Sequence, residues 1–153
     1  MKNIILLLFT SAFFLACEHT EINTTAMQAN LNTKLFKAHS VSAAVDNNAQ
    51  MIHIIGTSDD EEFTLHIQWR GPRTYEIGQN SVNYATYTDA SGTVYTTATS
   101  GGSGEIELTI EDKDAQRLTG EFHLTFSNGS ETIVVSGGLF YSVPYSISDV
   151  GIE

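Results

Sequence analysis

From Ala26 onward the chain alternates. Short runs rich in Val, Ile, Thr, Tyr and Phe are separated by clusters of Gly, Asn, Asp and Ser. Period-two alternation bounded by turn residues is the signature of half-buried strands. No stretch keeps a helical period for three turns. The pattern predicts strands at 27–31, 35–38, 41–45, 51–56, 63–69, 74–77, 85–88, 94–97, 105–111, 117–127, 132–136 and 139–141. Pro72 and Pro144 fall near predicted strand ends, where a missing N–H is tolerated. Many short strands at close spacing predict one all-β domain, an antiparallel sandwich or closed β-barrel built from consecutive hairpins.

Three hairpins follow from the side-chain period. Phe63, Leu65, Ile67 and Trp69 share one face, as do Ile52 and Ile54 on the strand before. Closing the chain over Ser58-Asp59-Asp60-Glu61 sets Ile54 opposite Leu65 and Ile52 opposite Ile67, because burial fixes register. The same register sets His53 opposite His66 on the outer face. A second hairpin joins Ile106, Leu108 and Ile110 to Leu118, Phe122, Leu124 and Phe126, with Gly120 marking a bulge or tight bend. His123 then faces outward near Glu105 or Glu107. A third turns at Asn128-Gly129, a type I′ signal, and puts Ile133 and Val135 on the face of Phe122 and Leu124.

The N-terminus breaks the alternation. Lys2 precedes an apolar run from Ile4 to Phe9, which continues to Ala16 with only Thr10 and Ser11 as polar interruptions. The run is shorter than the ~20 residues of a membrane span and fits the apolar segment of a secretory signal ending in a small residue. Cys17 follows it and is the single cysteine of the chain. A cysteine in that place resembles a bacterial lipobox, whose thiol is lipidated and becomes the mature N-terminus. The expected organisation is a signal peptide at 1–16, a polar tether at 17–25 and a β domain at 26–153. Membrane contact is expected through lipid on Cys17.

Composition and charge narrow the partners. The chain has 153 residues and a net charge of −11. Cleavage before Cys17 removes Lys2 and no acid, giving −12. Such a surface repels nucleic acid, whose binding rests on Lys and Arg contacts to phosphate, and it repels an anionic bilayer. A domain of this length buries enough surface to fold without a disulfide.

Candidate chemistry is sparse. Opposed side chains on adjacent strands have Cβ atoms ~4.5–5.5 Å apart, so His53 and His66 are the candidates for a shared Zn²⁺ or Cu²⁺, with Glu62 or Asp60 as a third ligand. Spacing fixes no metal site, and two polar residues on a solvated face are the plainer reading. Trp69, Arg70 and Arg73 flank Gly71-Pro72 and are the candidates for a carboxylate or glycan ligand; the plainer reading has Trp69 ending a core strand. The turns at 59–62 and 111–114 are acidic but match no calcium loop. Six tyrosines suit strands as well as they suit sugar surfaces. No Gly-x-Ser-x-Gly elbow, metalloprotease helix or phosphate loop occurs. The sequence therefore points away from an enzyme and implies no cofactor.

An ordered set of segments carries a family resemblance. It comprises Met27-Gln28-Ala29-Asn30-Leu31-Asn32, Phe36-Lys37-Ala38, Gly71-Pro72-Arg73-Thr74-Tyr75, Ala85-Thr86-Tyr87-Thr88, Gly102-Ser103-Gly104-Glu105-Ile106, Leu118-Thr119-Gly120-Glu121-Phe122, Gly138-Leu139-Phe140 and Val143-Pro144-Tyr145. Together these resemble a family of small β-rich lipoproteins of unknown function from Bacteroidota. Thr33 stands where that family has Gly, and Phe14 replaces the favoured aliphatic residue of the lipobox. The resemblance implies a lipid-anchored β domain and transfers no catalytic residue; the expected function is a non-enzymatic binding or envelope-structural domain held at the outer membrane or cell surface. Glu18 and Glu21 resemble the acidic tags that send such lipoproteins to the cell surface. The alternative is a lipocalin-like barrel carrying a small apolar ligand, although the lipocalin Gly-x-Trp opening is missing around Trp69.

Overall fold

A computed structural model describes residues 24–148; Cys17, the apolar run before it and the last five residues lie outside them. Eleven strands and no helix make up the described chain: β1 (Ala26–Leu31), β2 (Lys34–Lys37), β3 (Ser40–Asp46), β4 (Met51–Ser58), β5 (Glu61–Gln68), β6 (Arg73–Gly78), β7 (Tyr84–Thr88), β8 (Val94–Thr96), β9 (Ser103–Asp112), β10 (Arg117–Ser127) and β11 (Thr132–Ser148). They form one sheet in the order β2-β1-β11-β3-β4-β5-β7-β8-β10-β9-β6, and an added β10–β11 pairing closes it on itself.

The ring runs β11-β3-β4-β5-β7-β8-β10, with β1 and β2 continuing the sheet beyond β11 and β9 and β6 beyond β10. β11 changes partner along its length: through Pro144 it pairs with β10, and from Tyr145 to Ser148 it runs parallel to β3. Pro144 lies inside this strand, where β11 changes partner and a lost donor interrupts no continuous ladder. Elsewhere in the ring β8 meets β10 through a single bridge, Thr96 to Ser127.

Aromatic rings pack inside the closed sheet. Phe63 of β5 lies 5.1 Å from Phe122, 5.2 Å from Phe126 and 5.7 Å from Phe36, ring centre to ring centre. These four and Phe140 are almost wholly buried, with Ile52, Ile54, Leu65, Ile67, Ile106 and Leu108 around them. Alternation along β4, β5 and β10 puts Ile52, Ile54, Phe63, Leu65, Ile67, Leu118, Phe122, Leu124 and Phe126 on this inner side, and leaves Ile55 on the outer one.

The first hairpin has the register expected: Ile52 opposite Ile67, Ile54 opposite Leu65 and His53 opposite His66. In the second, His123 faces Glu105 as expected. Ile110 does not join the core. The register slips between Thr119 and Gly120, so β9 carries an extra residue at Thr109. Such a bulge reverses the alternation beyond it, and Ile110 is 57% exposed. The third hairpin pairs Leu124 with Val135 and Phe126 with Ile133, but its turn is longer than type I′. Asn128 N–H donates to the Glu131 carbonyl, and Asn128 Oδ1 accepts from the N–H groups of Ser130 and Glu131. Only Gly129 has positive φ there. The two strands expected at 132–136 and 139–141 are one. Gly137 and Ser142, both at positive φ, kink β11 without ending it.

Candidate functional site

The outer face of the neighbouring strands β3, β4, β5 and β7 holds the one predicted constellation that the fold assembles closely. Ala44, His53, His66 and Tyr84 stand side by side across four strands. The Nδ1 atoms of His53 and His66 are 2.7 Å apart, and the rings meet edge to face at 4.8 Å. At that distance one Nδ1 carries the proton and the other accepts it. Tyr84 stacks on the far side of His66 at 4.1 Å and 14°. The pair opens into a surface concavity of about 470 Å³ lined by Ala44, Ile55, Glu62, Thr64, Thr86 and the two imidazoles.

Both rings are held neutral. Burial first, and then the neighbouring His53, lower the His66 pKa to about 4. Burial also lowers His53, partly opposed by the charge of Asp46. Desolvation disfavours a charged imidazole, so both rings offer neutral nitrogen at physiological pH. Thr64, on the same face between Glu62 and His66, donates its hydroxyl to Glu62 Oε1 at 3.4 Å. Asp60 is exposed in the turn beyond. Among the described residues no three His, Cys, Asp or Glu side chains converge on one metal position. Neither Glu62 nor Asp60 therefore completes the pair as a direct third ligand.

The Trp69, Arg70 and Arg73 constellation comes apart. Arg70 and Arg73 share a polar concavity of about 180 Å³ with Gln68, Thr74, Tyr75, Glu76 and Asn83. Arg70 is engaged there, donating through Nε and Nη2 to Gln68 Oε1. Trp69 instead packs against the core, its ring 5.9 Å from Tyr145. The Tyr75 hydroxyl ties this corner together: it donates to the Gly71 carbonyl at 2.6 Å and accepts from the Arg70 N–H at 3.1 Å. Of the six tyrosines, Tyr75, Tyr87, Tyr95 and Tyr145 are buried. The acids of the turns also serve structure. Asp112 Oδ1 accepts from the N–H groups of Asp114 and Ala115, while Glu61 takes Lys34 and the Tyr87 hydroxyl.

One polar residue escaped the sequence pattern. Beyond the bulge of β9, Glu111 pairs with the buried Leu118. Its Oε1 is buried without a hydrogen-bond partner, as is Nε1 of Trp69. Its charge helps to raise the pKa of Tyr75 and Tyr145, in each case behind burial as the main cause. Gly120, expected to mark a bulge or tight bend, lies at the register shift, but nothing in the sequence puts the extra residue on β9.

The model of a domain of unknown function, DUF6252, matches residues 23–144, a span that includes every strand up to the partner change of β11. The chain belongs to the DUF6252 family. No curated protein and no solved structure matches it. The His53–His66 concavity and the two-arginine corner of this DUF6252 domain both lie within the matched span.

Proposed function

We propose that this chain is a lipid-anchored envelope protein whose DUF6252 domain binds or supports a partner without catalysing a reaction. The observation that carries the reading is Cys17, placed directly after a short apolar run and a small residue. Only eight residues separate it from Ala26, where β1 begins. Such a tether holds the domain close to a membrane that its acidic surface has no other reason to touch. One acyl chain binds marginally, whereas two or more hold at roughly 0.8 kcal/mol per buried methylene. Outer-membrane residence, with display at the cell surface, is the location this anchoring suits.

Packing favours a domain that works through its outer faces. Rings of Phe36, Phe63, Phe122, Phe126 and Phe140 pack in the interior, which a lipocalin-like carrier would need for its ligand. The test is Cys17→Ser in cells labelled with a fatty acid. The parent chain is expected to take up label and sediment with membranes. The variant should do neither while keeping its β-sheet circular dichroism. A variant that still sediments with membranes, or an unlabelled parent, overturns the anchor.

A further inference from the structure

We propose that His53 and His66 form a site for one divalent transition-metal ion, Cu²⁺ ahead of Zn²⁺, with the remaining coordination positions open to solvent. The proposal does not depend on the lipid anchor, since every residue it uses lies on β4, β5 and β7.

Geometry carries it. Adjacent ligands in a square-planar site, with bonds of ~2.0 Å, lie about 2.8 Å apart; in tetrahedral zinc the separation is about 3.3 Å. The two Nδ1 atoms stand 2.7 Å apart, so the pair has the spacing of neighbouring tetragonal positions, and the rings need to turn toward a shared ion but not to part. Zinc would have to push the rings apart, against the Tyr84 stack on one side and the β4–β5 ladder beneath. The divalent affinity series also runs Zn²⁺ below Cu²⁺. Geometry and intrinsic affinity therefore point to the same ion.

The surroundings fit a cation. Both rings are neutral near pH 7, so binding displaces no net proton. The hydrogen between the two Nδ1 atoms leaves, and the Nε2 of the same ring takes one up, which exposes both Nδ1 lone pairs to the metal. No Lys or Arg lines the concavity, while Glu62 does. Oriented by Thr64, Glu62 is placed to accept from a metal-bound water, the outer-shell role that carboxylates commonly serve. A site with two protein ligands and open positions can also take an oxygen or nitrogen ligand from a second molecule.

The test uses the untagged mature chain in detergent. Titration with Cu²⁺ and with Zn²⁺ near neutral pH is read by calorimetry, and the Cu²⁺ complex by electron paramagnetic resonance. Expected are one Cu²⁺ per chain, coupling to two imidazole nitrogens, and Cu²⁺ binding at least about tenfold tighter than Zn²⁺. His53→Gln and His66→Gln should each abolish the two-nitrogen signal. His19→Gln and His123→Gln should preserve it. A second reading needs no variant: substoichiometric Cu²⁺ should broaden the ring protons of His53 and His66 in the parent protein before those of His39 and His123. Broadening that starts elsewhere, a Zn²⁺ affinity equal to that for Cu²⁺, or no binding at millimolar Cu²⁺ overturns the proposal.

Discussion

His66 sits in an environment that its sequence setting does not show. An alternating strand position reads as solvated, yet His66 is enclosed by His53 on β4 and Tyr84 on β7, with Glu62 and Thr64 on its own strand. Asp46 of β3 acts on the pair through His53. A free histidine takes up its proton near pH 6.5, whereas His66 in the folded chain does so only at about 4. Between those values the unfolded state binds more protons. Stability contributed by neutral His66 is therefore complete above about pH 6.5 and falls as pH drops toward 4. His66→Gln should lose less of its urea midpoint than the parent chain between about pH 7.5 and 4.5. Equal losses would show that His66 is not the group responsible.

At the scale of elements, two glycines decide how β10 and β11 meet. Gly120 lies opposite Phe140, and Gly138 lies opposite Phe122. Each ring covers the glycine across from it. A Cβ at Gly138 would sit 2.3 Å from the Phe122 ring, and one at Gly120 would sit 2.3 Å from the Phe140 ring. Gly138→Ala should therefore destabilise the fold by about 1–3 kcal/mol, the usual range for overpacking. Adding Phe122→Leu to Gly138→Ala should cost less than the two separate effects combined, since the smaller side chain relieves the ring contact and leaves only that with the carbonyl oxygen of residue 122, 2.5 Å away. Additive losses in denaturant melts would mean that the ring and the glycine do not constrain each other. Gly120 could be read as a bend because it interrupts an apolar face. Gly137-Gly138 reads locally as a strand break, and pairing with β1 and β10 on either side overrides that preference.

For the whole molecule, closure is uneven. β10 and β11 share a long ladder, whereas β8 reaches β10 through one bridge. Local opening follows such differences, so amide hydrogens of Tyr95 and Thr96 should exchange well ahead of those of Phe122 and Leu124. Uniform protection around the ring would contradict this account of the seam. Alternation and turn chemistry were legible in the sequence: the all-β class, the inward rings of Phe63, Phe122 and Phe126, and the His53–His66 register all follow from period two and the need to bury one face. Strand-to-strand choices at long range were not. The parallel run of β11 beside β3 and the extra residue on β9 that turns Ile110 outward depend on how the strands meet; the inward Trp69, by contrast, follows from its place on the Phe63 face. The sequence by itself determined which side chains share a face, because that is a local property of the chain. Only the tertiary structure decided the spacing and enclosure of the two imidazoles, because those depend on ring orientation and on Tyr84 arriving from a strand elsewhere in the chain.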